Sequence, residues 1–165
     1  ERAFPGWKVV AVGNDSRVGV SAGEAGRSRS IVLHPLAREH PAVIEWQGTI
    51  PKTGRTLLLF DAASHPPARE ADTCLRVYVN ELNILDKVLG PWTYAESPWQ
   101  KFEIDISLHA RGQVKVQIWA VATGWYYEFL HLSDLRIIHI PEDDALAQPQ
   151  GASAADDRSK GDEAQ

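Results

Sequence analysis

The sequence predicts an all-β domain folded as an antiparallel β-sandwich. Short apolar runs recur along the chain, and in most of them apolar and polar residues alternate with a period of two. Turn residues close each run at fairly regular intervals. No stretch sustains helical periodicity for three turns, and Leu36–His40 offers at most a single turn. A strand that buries one face needs a second apolar layer, so many short alternating strands pack as two facing sheets.

The elements follow in order. Trp7–Val12 reads as a strand. The Gly-, Ser- and Arg-rich segment Gly13–Ser30 reads as a long loop over the sheet edge. Ile31–Leu33 is a short strand ended by His34-Pro35. Val43–Ile50 sets Ile44, Trp46, Gly48 and Ile50 on one face against Glu45, Gln47 and Thr49 on the other, and Pro51-Lys52-Thr53-Gly54 turns the chain. Thr56–Asp61 is almost continuously apolar, as a strand buried on both faces would be. In Cys74–Asn80, Leu75, Val77 and Val79 alternate with Arg76, Tyr78 and Asn80. Phe102, Ile104 and Ile106 alternate with Lys101, Glu103 and Asp105, and Val114, Val116 and Ile118 with Lys115, Gln117 and Trp119. Tyr126–Leu132 and Leu135–Ile140 close the domain as two strands about a Ser133-Asp134 turn.

At 165 residues the chain suits one domain with a tail. After Pro141 the composition shifts to Ala, Asp, Gly, Ser and Gln, which cannot bury enough apolar surface to offset the entropy of ordering. Residues 1–141 are therefore expected to be the binding domain, and 142–165 a disordered acidic tail or a linker to other domains of a larger protein. A net charge of −5 argues against nucleic acid, which needs clustered Lys and Arg. No apolar run reaches the roughly 20 residues of a membrane span. The chain has no methionine and opens at Glu1, which suggests a fragment or a mature product of a secreted or periplasmic protein. The single cysteine, Cys74, sits in a strand pattern and reads as a packing residue.

Catalytic signatures are absent: there is no G-x-S-x-G elbow and no H-E-x-x-H, so no enzyme is expected. The six histidines show no tight metal spacing, although His131 and His139 could face each other across the last hairpin. Glu103 and Asp105 share a strand face, which reads as solvated rather than as a glycosidase pair. Asp61, Asp72, Asn80 and Asp86 flank turns and could offer oxygens to a structural calcium ion, but their spacing matches no calcium loop. No other cofactor is implied.

The six tryptophans and four tyrosines carry more information. Trp46 shares a face with Ile44 and Ile50 and belongs to the core. Trp92 and Tyr94 lie in the loop Gly90-Pro91-Trp92-Thr93-Tyr94, Trp99 follows Ser97-Pro98, Trp119 stands on the polar side of its strand, and Trp125, Tyr126 and Tyr127 follow Gly124. Loop aromatics can cap a sandwich core. With polar neighbours they also suit a sugar ring, whose C–H face packs on the aromatic face while its hydroxyls find hydrogen bonds.

The run Arg29–Ile138 resembles the galactose-binding-like jelly rolls, and most closely the NPCBM-type modules attached to bacterial glycosidases. The pieces that carry the resemblance are His34-Pro35, AVIEWQGTIP, RTLLLFDAASHP, DTCLRVYVNE, WQKFEIDIS, GQVKVQIWA and WYYEFLHLSDLRI. The resemblance implies a non-catalytic, lectin-like carbohydrate-binding module of a secreted bacterial protein. The alternative is a protein–protein or assembly domain on the same sandwich. The expected site combines the Lys87–Trp99 loop with the Thr123–Tyr127 turn. Trp92, Tyr94, Trp99, Trp125 and Tyr126 are its stacking groups, and Asn83, Glu96 and Arg69 its hydroxyl partners.

Overall fold

The computed structural model describes residues 4–11, 17–21, 27–64, 72–90, 99–124 and 128–142. They form ten strands: β1 Trp7–Ala11, β2 Arg17–Ser21, β3 Ser30–His34, β4 Ala42–Ile50, β5 Arg55–Ser64, β6 Thr73–Val79, β7 Leu82–Leu89, β8 Gln100–Asp105, β9 Gly112–Val121 and β10 Leu130–Ile140. One five-stranded sheet is ordered β1-β4-β9-β6-β7, the other β2-β3-β10-β5-β8. Every pairing is antiparallel. Only β2–β3 and β6–β7 connect neighbours within a sheet. The remaining connections cross between sheets, as in a jelly roll.

The alternation sets the core. Leu33, Leu58, Phe60, Leu75, Val77, Val116, Ile118, Leu130 and Leu132 point between the sheets and are almost fully buried. Phe60 and Phe102, paired in register, stack with ring centroids 4.9 Å apart. As expected, β5 is buried on both faces, and it lies between β10 and β8. Trp46 packs against the core as its face predicts, with its indole lying across Gly48.

Four expectations are corrected. The Gly13–Ser30 segment holds a strand, β2, which pairs residue for residue with β3. Lys87–Leu89 is not loop but the end of β7, which forms a hairpin with β6 over Asn80 and Glu81. Both turn residues have positive φ (47° and 72°), and Asn80 tolerates it because its side chain is bonded to His109 O and Lys115 N. Leu36–His40 is a turn closed by an Ala37–His40 bridge, not helix. Ser133-Asp134 is not a hairpin turn but a bulge within β10. His131 and His139 therefore lie on one strand, opposite Ala63 and Thr56, and His139 Nδ1 is 3.0 Å from Thr56 Oγ1.

Strand direction sorts the connections. Those of β1–β2, β3–β4, β5–β6, β7–β8 and β9–β10 leave from one end of the sandwich, the upper end here. Those of β4–β5, β6–β7 and β8–β9 leave from the lower end. Of the expected tail, residues 142–165, all but Glu142 lie outside the described residues. No helix among the described residues is long and apolar enough to cross a membrane.

Two outcomes follow. A Cβ on Gly48 would stand 2.3 Å from the Trp46 ring, so Gly48→Ala should destabilise the domain by about 1–3 kcal/mol in urea unfolding, the usual cost of overpacking. At the lower end the Asp105 carboxylate accepts the Ser107 hydroxyl at 2.5 Å, Arg55 Nε at 2.8 Å and the Ser107 amide at 3.0 Å. The Ser107 hydroxyl and then Arg55 outweigh desolvation and hold its pKa at about 2, below the ordinary 3.8. A depressed carboxylate favours the fold above its unfolded pKa and loses that advantage as pH falls through the folded one. The melting-temperature gap between the parent and Asp105→Asn should be full at neutral pH, and should close between about pH 4 and pH 2.

Candidate functional site

The outer face of the β2-β3-β10-β5-β8 sheet carries a groove of about 620 Å³. Period-two alternation on β5 turns Leu59 and Asp61 outward while Leu58 and Phe60 fill the core. Leu59 lies between Glu103 on β8 and Arg136 on β10, and Asp61 between Lys101 and Ser133. An apolar floor at Leu59 is thus flanked by one acid and one base. Trp99, immediately before β8, forms a half-buried wall at the upper end.

Arg27 reaches into this groove from the segment before β3. Its Nη2 donates to Asp61 at 2.5 Å, its Nη1 donates to Asp134 at 3.0 Å, and its guanidinium carbon lies 5.2 Å from the Trp99 ring centroid. A planar cation over an indole face is attractive in itself, and two carboxylates fix its orientation. Asp61 is nearly buried and Arg27 is the cation beside it, whereas Asp134 is well exposed. Arg27, Lys101 and Arg136 balance Asp61, Glu103 and Asp134 in formal charge.

A second hollow of about 480 Å³ opens at the upper end, between the β3–β4 and β9–β10 connections. His34, Arg38, Glu39, Thr123 and Glu128 line it. Its frame is tied together by side chains. The buried Glu128 carboxylate accepts the backbone N–H groups of both Thr123 and Gly124. The Thr123 hydroxyl donates to Asp72, and Arg38 Nη2 donates to Thr123 O at 3.2 Å. Across the same end, Ser64 Oγ donates to Gly90 O at 2.9 Å.

Of the residues expected at the site, two are described. Trp99 stands in the groove. Asn83 is a correction: it lies at the lower end of β7, where its Oδ1 accepts Leu85 N at 3.2 Å. Eight residues of extended strand, about 25 Å, separate its end of the sandwich from that of Trp99. Trp92, Tyr94, Glu96, Arg69, Trp125 and Tyr126 lie outside the described residues. Nothing in the sequence marks Arg27, Asp134 and Arg136 as neighbours of Trp99, and Asp61 meets Arg27 rather than a metal ion. The outward alternation of Lys101 and Glu103 on β8 was readable, but the partners on β10 were hidden by its bulge.

The four residues considered for a structural calcium ion are each engaged elsewhere. Asp61 is engaged by Arg27, Asp72 by Thr123, Asn80 by His109 and Lys115, and Asp86 by Arg76 and Cys74. These four oxygen donors occupy separate places. Among the described residues no group of three or more His, Cys, Asp or Glu could hold a metal ion.

No family model matches the chain, and no curated protein does. Solved structures do. The cleaved K3 adhesin domain of Lys-gingipain from Porphyromonas gingivalis matches with a TM-score of 0.59 and 14% identity, covering 82% of this chain and 92% of that one. The C-terminal family 22 carbohydrate-binding module of Clostridium thermocellum Xyn10B matches at 0.55 and 12%, covering 84% and 89%. The Stig cyclase Fisc from Fischerella matches at 0.57 and 9%, covering 83% and 86%. Other carbohydrate-binding modules, of families 35, 61 and 22, match at 0.51, 0.52 and 0.53. These likenesses establish the jelly-roll fold that carbohydrate-binding modules share.

Removing the carboxylate that closes the upper turn exposes its worth. Glu128→Ala leaves two backbone donors without their acceptor and should cost about 2 kcal/mol or more in urea unfolding.

Proposed function

We propose that this domain binds carbohydrate without catalysis, as a module of an exported protein, and that the Trp99 groove is where it does so. One observation carries the reading: a half-buried indole stands over a groove with a leucine floor and six charged side chains around it. Sugars offer that combination of apolar C–H faces and hydroxyls. Leu59 and Trp99 meet the apolar part, and Glu103, Lys101 and Arg136 meet the hydroxyls. Arg27 lies on the Trp99 ring and helps to hold the indole in place beside the groove. Trp92, Tyr94, Glu96, Trp125, Tyr126 and Arg69 are read from the sequence alone, with Trp92, Tyr94 and Glu96 shortly before Trp99 in the chain. They remain candidates to extend the site. The likeness to family 22 and family 61 modules supports the reading, and the Stig cyclase shows why fold alone does not decide it.

Stacking on one ring contributes on the order of 1 kcal/mol beyond area burial, so a dissociation constant in the ~μM to mM range is expected. The probes are soluble xylan and β-1,4-galactan oligosaccharides, since one compared module is described as xylan-binding and another was solved with β-1,4-galactotriose. By titration calorimetry, Trp99→Ala should weaken binding about fivefold with the fold retained by circular dichroism. Unchanged affinity in a folded Trp99→Ala protein places the site elsewhere. If the parent binds no glycan at millimolar concentration, the assembly-domain reading replaces this one.

A further inference from the structure

The opposite sheet turns a different surface to solvent. Its outward side chains form a row straight across four strands: Lys8 on β1 opposes Glu45 on β4, Glu45 opposes Gln117 on β9, and Gln117 opposes Tyr78 on β6. One step along, Trp119 on β9 opposes Arg76 on β6, and Arg76 opposes Asp86 on β7. Strands lie about 4.8 Å apart, so the row extends roughly 15 Å.

A chain of hydrogen bonds locks this row. Glu45 is 6% exposed although its strand aims it at solvent. It accepts Gln47 Nε2 at 2.6 Å and Gln117 Nε2 at 2.7 Å, and pairs with Lys8 Nζ at 3.2 Å. Burial works to raise its pKa, but the bonds from Gln117, Lys8 and Gln47 outweigh burial and lower it. Gln117 Oε1 in turn accepts the Trp119 indole N–H at 3.3 Å. The Trp119 and Tyr78 rings meet at 4.7 Å with a tilt of 40°, and both are half-buried. Each ring leans on the other and keeps part of its surface in water. Two aromatic rings fixed beforehand on a water-facing sheet lose little entropy when a ligand packs on them.

Charge selects the occupant. Three ion pairs hold six ionised groups of this face: Lys8–Glu45 at 3.2 Å, Arg76–Asp86 at 2.8 Å and Lys115–Glu81 at 3.2 Å. These three pairs cancel one another, so the row of paired groups carries no net charge to draw an ionic polymer. We propose that this face is a second carbohydrate site, for an uncharged glycan chain laid across the strands. Trp119 and Tyr78 are its platform. The amides of Gln117 and Gln47 are its hydroxyl partners, since each keeps hydrogen-bonding capacity beyond its bond to Glu45. The two sheets of a sandwich are about 10 Å apart and face opposite ways, so no sugar ring can touch both sites. The domain then holds two glycan chains back to back.

Affinity electrophoresis in gels containing xylan, β-1,4-galactan or polygalacturonate separates the possibilities, using the parent, Trp99→Ala, Trp119→Ala, Tyr78→Thr and Gln47→Ala, with melting curves for each. Trp99→Ala should keep a residual retardation by a neutral polymer, and adding Trp119→Ala or Tyr78→Thr should abolish it. Singly, either of those two should weaken retardation about fivefold. Gln47→Ala, on an exposed position, gives the same direction should Trp119→Ala fail to fold. If Trp99→Ala alone abolishes retardation, the second site is overturned and the groove stands. If Trp119→Ala or Tyr78→Thr abolishes it while Trp99→Ala does not, the second site stands and the groove falls. Retardation by polygalacturonate alone overturns the neutral assignment, and no retardation of the parent overturns both sites.

Discussion

Asp134 is the extra residue in β10, and its left-handed backbone (φ 53°) reverses the face on which every later residue of that strand appears. Before it, Leu130 and Leu132 point into the core; after it, Leu135 and Ile137 do. Without the bulge, Arg136 would be driven into the apolar layer. With it, Arg136 reaches the groove beside Leu59, and Asp134 itself is free to hold Arg27. Asp and Asn tolerate this backbone region better than most residues, which fits the residue found there. The groove is thus a consequence of one inserted residue in a strand that is otherwise regular.

Most of the fold was legible because burial on one face of a strand enforces period two. Leu75, Val77 and Val79, or Val114, Val116 and Ile118, can satisfy the core in only one register. What escaped the sequence shares a cause. A bulge looks like a turn, since both break the alternation at a polar pair, and Ser133-Asp134 carries the signal of either. The β6–β7 turn is built on Asn80-Glu81 without glycine, so β7 carried no hairpin signal. Gly19 and the polar residues around β2 hid an edge strand, which needs little apolar surface.

The site was less legible than the fold. Trp99 could be picked out because a large indole at a strand start is unusual. Its partners could not, because Arg27 lies over a hundred residues from Asp134 in sequence and only the sheet order joins them. Asn83 failed for the same reason in reverse. Turns near in sequence can open at opposite ends of a sandwich, and strand direction alone decides which.

The last of the described strands is also the central one of its sheet. β10 lies between β3 and β5, so it divides its sheet into two pairs, β2-β3 and β5-β8, that no other strand joins. During synthesis the first pair must wait, unsealed, until residues near Ile140 leave the ribosome. Closing that gap unites segments a hundred residues apart, a costly loop to close. The apolar inner faces of both pairs are exposed meanwhile, the state in which sandwich proteins are most exposed to aggregation. Completion of this sheet is therefore governed by β10, however early the β6–β7 hairpin forms.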